Sequence, residues 1–153
     1  MQTLELKIPP PAVAAFLAIV MWGVSRAMPL WIIPAGARIG VAVAIAAIAV
    51  GFSASAVIAF RRARTTLNPT TPGASSSLVS AGVFTVTRNP MYLGLLCQLI
   101  AWAVFLWSGW AFAGPCIFFA YIGRFQIAPE ERALAALFGT EYGAYKSKVR
   151  RWL

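Results

Sequence analysis

The chain has 153 residues, of which 60% are apolar and only 11% charged, with a mean hydropathy of +0.76. A water-soluble domain is usually about 45–50% apolar and about 25% charged, so the composition excludes most soluble enzymes and any disordered chain. Thirteen Lys and Arg against four Glu give a net charge of +9, and beside long apolar runs these cations point to anionic lipid rather than nucleic acid.

After a polar start, Met1 to Lys7, and the run Pro9-Pro10-Pro11, an apolar stretch covers residues 12–33, broken only by Ser25, Arg26 and Pro29. No small-residue cleavage site follows, so it reads as a retained span rather than a signal peptide. Arg26 falls toward its far end, where a long side chain can snorkel to the interface. A second span, 39–60, is rich in Ala, Val and Ile and ends at Arg61-Arg62-Ala63-Arg64. Each is close to the ~20 residues a bilayer crossing needs.

Residues 61–89 form a connecting loop whose part from Thr65 to Thr87 is rich in Ser and Thr and carries no charge. It is too polar for hydrocarbon and too long for a tight turn, and loops of that kind tend to be functional or disordered. Two shorter apolar runs follow, 90–107 and 110–127, joined at Ser108-Gly109, with Trp102, Trp107, Trp110 and Tyr121 as expected interfacial anchors. The segment 129–149 is too charged to span and reads as an amphipathic helix. The fold expected is all-α: a single membrane domain over 1–153, a four-helix transmembrane bundle with a cytosolic loop and a C-terminal amphipathic helix. Counting basic residues puts Arg61, Arg62, Arg64 and Arg88, with Arg132, Lys146, Lys148, Arg150 and Arg151, on the cytosolic side of an inner membrane.

The chemical inventory is narrow. There is no His, so imidazole can serve neither as base nor as metal ligand. The carboxylates are Glu5, Glu130, Glu131, Glu141 and the C-terminus. Cys97 and Cys116 lie in apolar runs, where free Cys behaves as a small hydrophobe. No disulfide framework and no metal spacing is visible.

Two places could do chemistry. At Arg88-Asn89-Pro90-Met91-Tyr92 the loop enters the third span. Asn89 can be a plain N-cap with Pro90 in the first turn, or the helix N-terminus can hold polar atoms of a ligand beside the Tyr92 ring. At Glu130-Glu131-Arg132 the carboxylates suit a first helical turn. Yet a helical wheel also puts both near one arc with Leu134, Leu137, Phe138, Tyr142 and Tyr145; Glu141 falls there too, unless Gly139 resets the phase. Carboxylates on a packed face call for a cationic partner. Since the last two spans form a hairpin, both places emerge side by side at one membrane face, and together could hold a small zwitterion or cation.

RNPMYLGL at 88–95, followed by EERALAALFGTEYGAYKSKVRRWL at 130–153, resembles the integral-membrane methyltransferases that include isoprenylcysteine carboxyl methyltransferase and the phospholipid N-methyltransferases. The likeness runs from Leu78 to Leu153. It implies S-adenosylmethionine-dependent methyl transfer at the cytosolic membrane face, with membrane lipid and a lipophilic or small-molecule acceptor as partners. By that resemblance Phe84, Arg88, Asn89, Pro90, Met91, Tyr92 and Leu93 surround the cofactor. Glu130 holds a polar part of it, supported by Glu131 and Arg132, and Glu130, Glu131 and Arg88 are the catalytic group. Phe84 stands where the family usually has Tyr, and Asn89 where His is commoner. Gln126 stands near an Arg of the prenylcysteine enzymes, a departure that turns the reading away from a prenylcysteine acceptor. Two other readings stay open: an NADPH-dependent membrane reductase with a related C-terminal half, and a non-catalytic scaffold.

Overall fold

The computed structural model describes residues 5–27, 34–64 and 77–153. Among them are the helices α1 (Pro10–Ala27), α2 (Ala35–Arg62), α3 (Pro90–Leu106), α4 (Ala113–Ile122) and α5 (Ala128–Lys148), and no strand. The end of the first expected span, 28–33, and the middle of the polar loop, 65–76, lie outside the described residues. The fold is an all-α membrane bundle. Large side chains such as Phe16 and Ile19 of α1 and Val43 and Ile48 of α2 stand exposed, as lipid-facing residues must in a chain with so little polar surface.

Packing centres on α3, which lies along α2 on one side and against α1 and α4 on the other. The α2 seam is made of alanines: Ala42, Ala49 and Ala56 are its buried residues, seven apart, so the same face returns every two turns. A Cβ on Gly94 of α3 would fall 2.9 Å from the Ala49 carbonyl oxygen and closer still to Ser53 Oγ. Small residues at that seam let the two backbones approach. On the other side α1 buries Ala14, Leu17, Met21 and Ser25 at helical spacing. Trp102, expected as an interfacial anchor, instead ties α3 to α1 by donating Nε1 to the Ala18 carbonyl at 3.0 Å.

The turn between α3 and α4 falls one residue earlier than Ser108-Gly109 suggests. Trp107 takes the left-handed conformation (φ 51°) that ends α3, although this geometry costs a non-glycine residue about 1 kcal/mol. The path from Gly109 to Lys148 is then helical for 40 residues, through a 3-10 turn (Gly109–Phe112), α4, a π-turn (Gly123–Ile127) and α5. At 1.5 Å per residue this is about 60 Å, twice a bilayer core. The charged residues of this path all follow Gly123, so its apolar first part, Gly109–Gly123, is the candidate crossing and α5 carries the charge.

The span expected at 110–127 and the helix expected at 129–149 are therefore continuous. Pro129 lacks the N–H that would return to the Phe125 carbonyl four residues back, and its ring crowds that carbonyl. The chain answers with a wider π-turn rather than a stop, and the N–H of Leu6 supplies the missing donor to Phe125 at 3.1 Å. Further on, Gly139 at φ 45°, ψ −117° interrupts the helical phase. Glu141 consequently leaves the packed arc and is exposed, while Tyr142 remains buried.

Candidate active site

At one end of the bundle α1 begins, α2 ends, α3 begins and α4 passes into α5, and a cavity of about 490 Å³ opens there. Its walls come from Phe60 of α2, Phe84 in the 3-10 turn Gly82–Thr85, the stretch Arg88–Tyr92, and Glu130, Glu131 and Tyr142 of α5. Phe84 is fixed edge-on against Phe60, with ring centroids 5.4 Å apart. The cavity shares Pro11 and Leu95 with a second, apolar one between α1, α2 and α3.

One pole of the cavity is anionic. Glu130 Oε1 accepts from the Tyr92 hydroxyl at 2.5 Å and from Gln126 Nε2 at 2.6 Å, so both protein donors meet the same oxygen. Burial, opposed by those hydrogen bonds and aided by the neighbouring Glu131 charge, raises its carboxyl from 4.5 to about 7. Glu130 stands in the first turn of α5, beyond the crossing, so it titrates near neutrality at the membrane edge.

Beside it, the charge is cationic on balance. Glu131 lies between two guanidinium groups, 3.1 Å from Arg88 Nη2 and 2.6 Å from Arg151 Nη2. The Arg88 side chain is 9% exposed, and its Nε and Nη1 are buried without a hydrogen-bond partner. Two cations share one carboxylate, and Arg88 and Glu130 both line the cavity, so its wall offers a guanidinium and a carboxylate to a zwitterionic ligand.

The residues 150–152 close this end of the molecule. Arg88 N–H donates to the Arg150 carbonyl at 3.0 Å, and Thr87 Oγ1 and Asn89 Nδ2 both donate to the Arg151 carbonyl, at 3.2 and 2.8 Å. Trp152 packs on Phe119 of α4, with centroids 4.8 Å apart. Tyr145 donates its hydroxyl to the Phe84 carbonyl at 2.7 Å. Burial above all, with a nearby Glu131 charge for Tyr142, pushes Tyr142 and Tyr145 up to about 12. Both stay protonated and able to donate at any physiological pH.

Of the residues singled out from sequence, Phe84, Arg88, Asn89, Pro90, Met91, Tyr92, Glu130 and Glu131 line the cavity. Leu93 does not; it is buried on the far side of α3's first turn, at 5% exposure. Arg132 supports neither glutamate, because it is drawn outward to Glu5 Oε2 at 2.5 Å. Asn89 occupies the N-cap position but makes no capping bond with its side chain; its Nδ2 donates instead to the Arg151 carbonyl. Arg26 is exposed over the Trp22 ring and lines neither cavity. Sequence reasoning did not foresee that Thr87, Gln126 and Arg151, which do not line the cavity, bond to Asn89, Glu130 and Glu131, which do. Gln126 had a signal, a long polar side chain at the end of an apolar run; Arg151 had none, being separated from Glu131 by the Gly139 kink.

These features define a helical membrane protein with a charged cleft at one end of its bundle. Residues 37–141 match the phospholipid methyltransferase family, and the chain belongs to that family of membrane methyltransferases. An uncharacterized protein of Haemophilus influenzae is 52% identical over 63 residues, which are 41% of this chain and the whole of that protein. No solved structure matches.

Proposed function

We propose that this chain transfers a methyl group from S-adenosylmethionine to a lipophilic acceptor at the cytosolic face of the inner membrane. The observation that carries the reading is Glu130: among the described residues the Tyr92 hydroxyl and the Gln126 amide both meet its Oε1, which holds the carboxylate at the wall of a cavity of ligand size. The family match supports methyl transfer. The basic residues of this end, Arg61 and Arg62 of α2 and Lys146 and Lys148 of α5, support the cytosolic side.

The residues fit the cofactor. S-adenosylmethionine supplies, when bound, an electrophilic methyl group on a sulfonium. Glu130 and the aromatic rings of Phe84, Tyr92 and Tyr142 suit its cationic part, and the surplus charge of Arg88 and Arg151 suits its carboxylate. Asn89, Pro90 and Met91 add to the cavity wall beside Arg88. Methyl transfer of this kind needs a positioned acceptor rather than a covalent enzyme intermediate, so holding both reactants in one cleft supplies much of the acceleration. An acceptor amine must first lose a proton, and Glu130, titrating near 7, is placed to take it. The adjoining apolar cavity along α1, α2 and α3 gives a lipophilic acceptor a route from the bilayer.

Calorimetry on detergent-purified protein tests this, with S-adenosylmethionine, S-adenosylhomocysteine and, in parallel, NADPH. Saturable binding of the first two, lost in Glu130→Ala with the fold intact, is expected. Binding of NADPH alone would establish a reductase, and binding of none by folded protein would leave a scaffold.

A further inference from the structure

Gln126 is a buried polar side chain, at 2% exposure, and it sits inside the π-turn Gly123–Ile127. Its Nε2 donates to Glu130 Oε1 at 2.6 Å, and it also lies within hydrogen-bonding reach of the Tyr92 hydroxyl. A buried amide left without partners is costly, so this placement ties Gln126 to Glu130 and Tyr92. Single π-turns inside α-helices gather at functional sites because the extra residue re-aims the side chains around it.

The turn itself is held from outside. Leu6 donates its N–H to Phe125, the carbonyl Pro129 cannot serve, and does so from a left-handed backbone (φ 58°) that a leucine rarely adopts. Glu5, beside it, bridges Arg124 Nη1 at 3.1 Å and Arg132 Nη2 at 2.5 Å, one cation within the π-turn and one beyond it. A carboxylate spanning the turn in this way resists its relaxation to ordinary α-helix.

We propose that Gln126 is a positioning residue for Glu130: it orients the carboxylate in the cleft and stabilises its ionised form, and the strap Glu5–Leu6 keeps the π-turn that carries it. This rests on the reading of Glu130 as the group that meets the cofactor. The other charged and titratable groups around Glu130 are Tyr92 from α3, Arg88 before it, Glu131 and Tyr142 from α5, and Arg151. None of them donates to the oxygen that Gln126 holds except Tyr92.

The test is the pH profile of S-adenosylmethionine binding, set beside an infrared titration of the Glu130 carboxylate in ligand-free protein. Gln126→Leu is expected to move the Glu130 midpoint up by about one unit, which corresponds to roughly fivefold weaker binding at pH 7 that recovers at higher pH. Glu5→Gln, at the outer end of the strap, is expected to shift the midpoint in the same direction by less, and keeps the test alive if Gln126→Leu does not fold. An unmoved midpoint in both variants, or a loss of binding equal at every pH, would overturn the proposal. If wild-type protein binds no S-adenosylmethionine, the methyltransferase reading fails while the ligand-free titration still decides the role of Gln126.

Discussion

The side-chain amide of Asn89 donates to the backbone carbonyl of Arg151 at 2.8 Å across 62 residues of sequence. One bond thus joins the start of α3 to the strand of chain that follows α5. Arg151 then returns to the site by gripping Glu131 through Nε and Nη2. The polar motif at 88–92 therefore acts as an anchor for residues 150–152 as well as a wall of the cleft.

Replacing Asn89 by Ala removes one of the two donors to that carbonyl, the other being Thr87 Oγ1. A loss of about 1 kcal/mol in stability is expected. The clearer sign is local. The Arg88 amide, bonded to the Arg150 carbonyl, should exchange its hydrogen much faster in Asn89→Ala than in wild type. Unchanged protection at Arg88 would show that Thr87 and Trp152 hold this segment alone.

Glu131 and Glu5 each bridge two arginines, but in different surroundings. Glu131→Gln strands the Arg88 guanidinium, whose side chain is 9% exposed, and removing one partner of a buried pair costs roughly 3–5 kcal/mol. Glu5→Gln frees Arg124 and Arg132, which are 51% and 59% exposed, and should cost about 1 kcal/mol or less. Chemical unfolding in mild detergent, comparing the two variants, measures the difference directly.

The α2–α3 seam makes a prediction about packing. Gly94→Leu must force apart Ala49 and Ser53 of α2, and overpacking of this kind costs about 1–3 kcal/mol. Gly51→Ala, on α2 but facing open space, should not lower the thermal midpoint, since Ala is the better helix former. Equal effects would mean that the seam is looser than the structure shows.

Glu130 gives two opposite pH dependences. Its carboxyl is raised from 4.5 to about 7 by burial, so between those values the folded chain holds a proton that the unfolded chain has released. Its contribution to stability therefore declines as pH rises from about 4.5 to about 7 and is flat above. The sulfonium of S-adenosylmethionine favours the ionised form, so its binding should tighten as pH rises through 7, with proton uptake by buffer below it. Glu130→Gln should flatten both profiles.

The membrane character, the helical class and the pairing of the motif at 88–92 with the carboxylates at 130–131 were legible in the sequence because each depends on local composition or on a short connection. Apolar runs near 20 residues must cross or be buried, and a hairpin turn at Ser108 forces the two polar places to one face. The Gly139 phase change was likewise visible as a glycine inside a helical pattern.

What only the tertiary structure decided is how those polar groups divide the work. Charge alone made Arg132 as good a partner for Glu131 as Arg151. Distance in space reversed that, because Arg124 of the π-turn and Arg132 of α5 pair with Glu5, and the return of residues 150–152 brings Arg151 to Glu131. Gln126 was assigned to Glu130 in the same way, by a turn whose width follows from a missing N–H and is held open by a residue more than a hundred positions earlier. Side-chain partners in a cleft are set by which backbone donors and acceptors remain unmet when helices pack, and that accounting closes only in three dimensions.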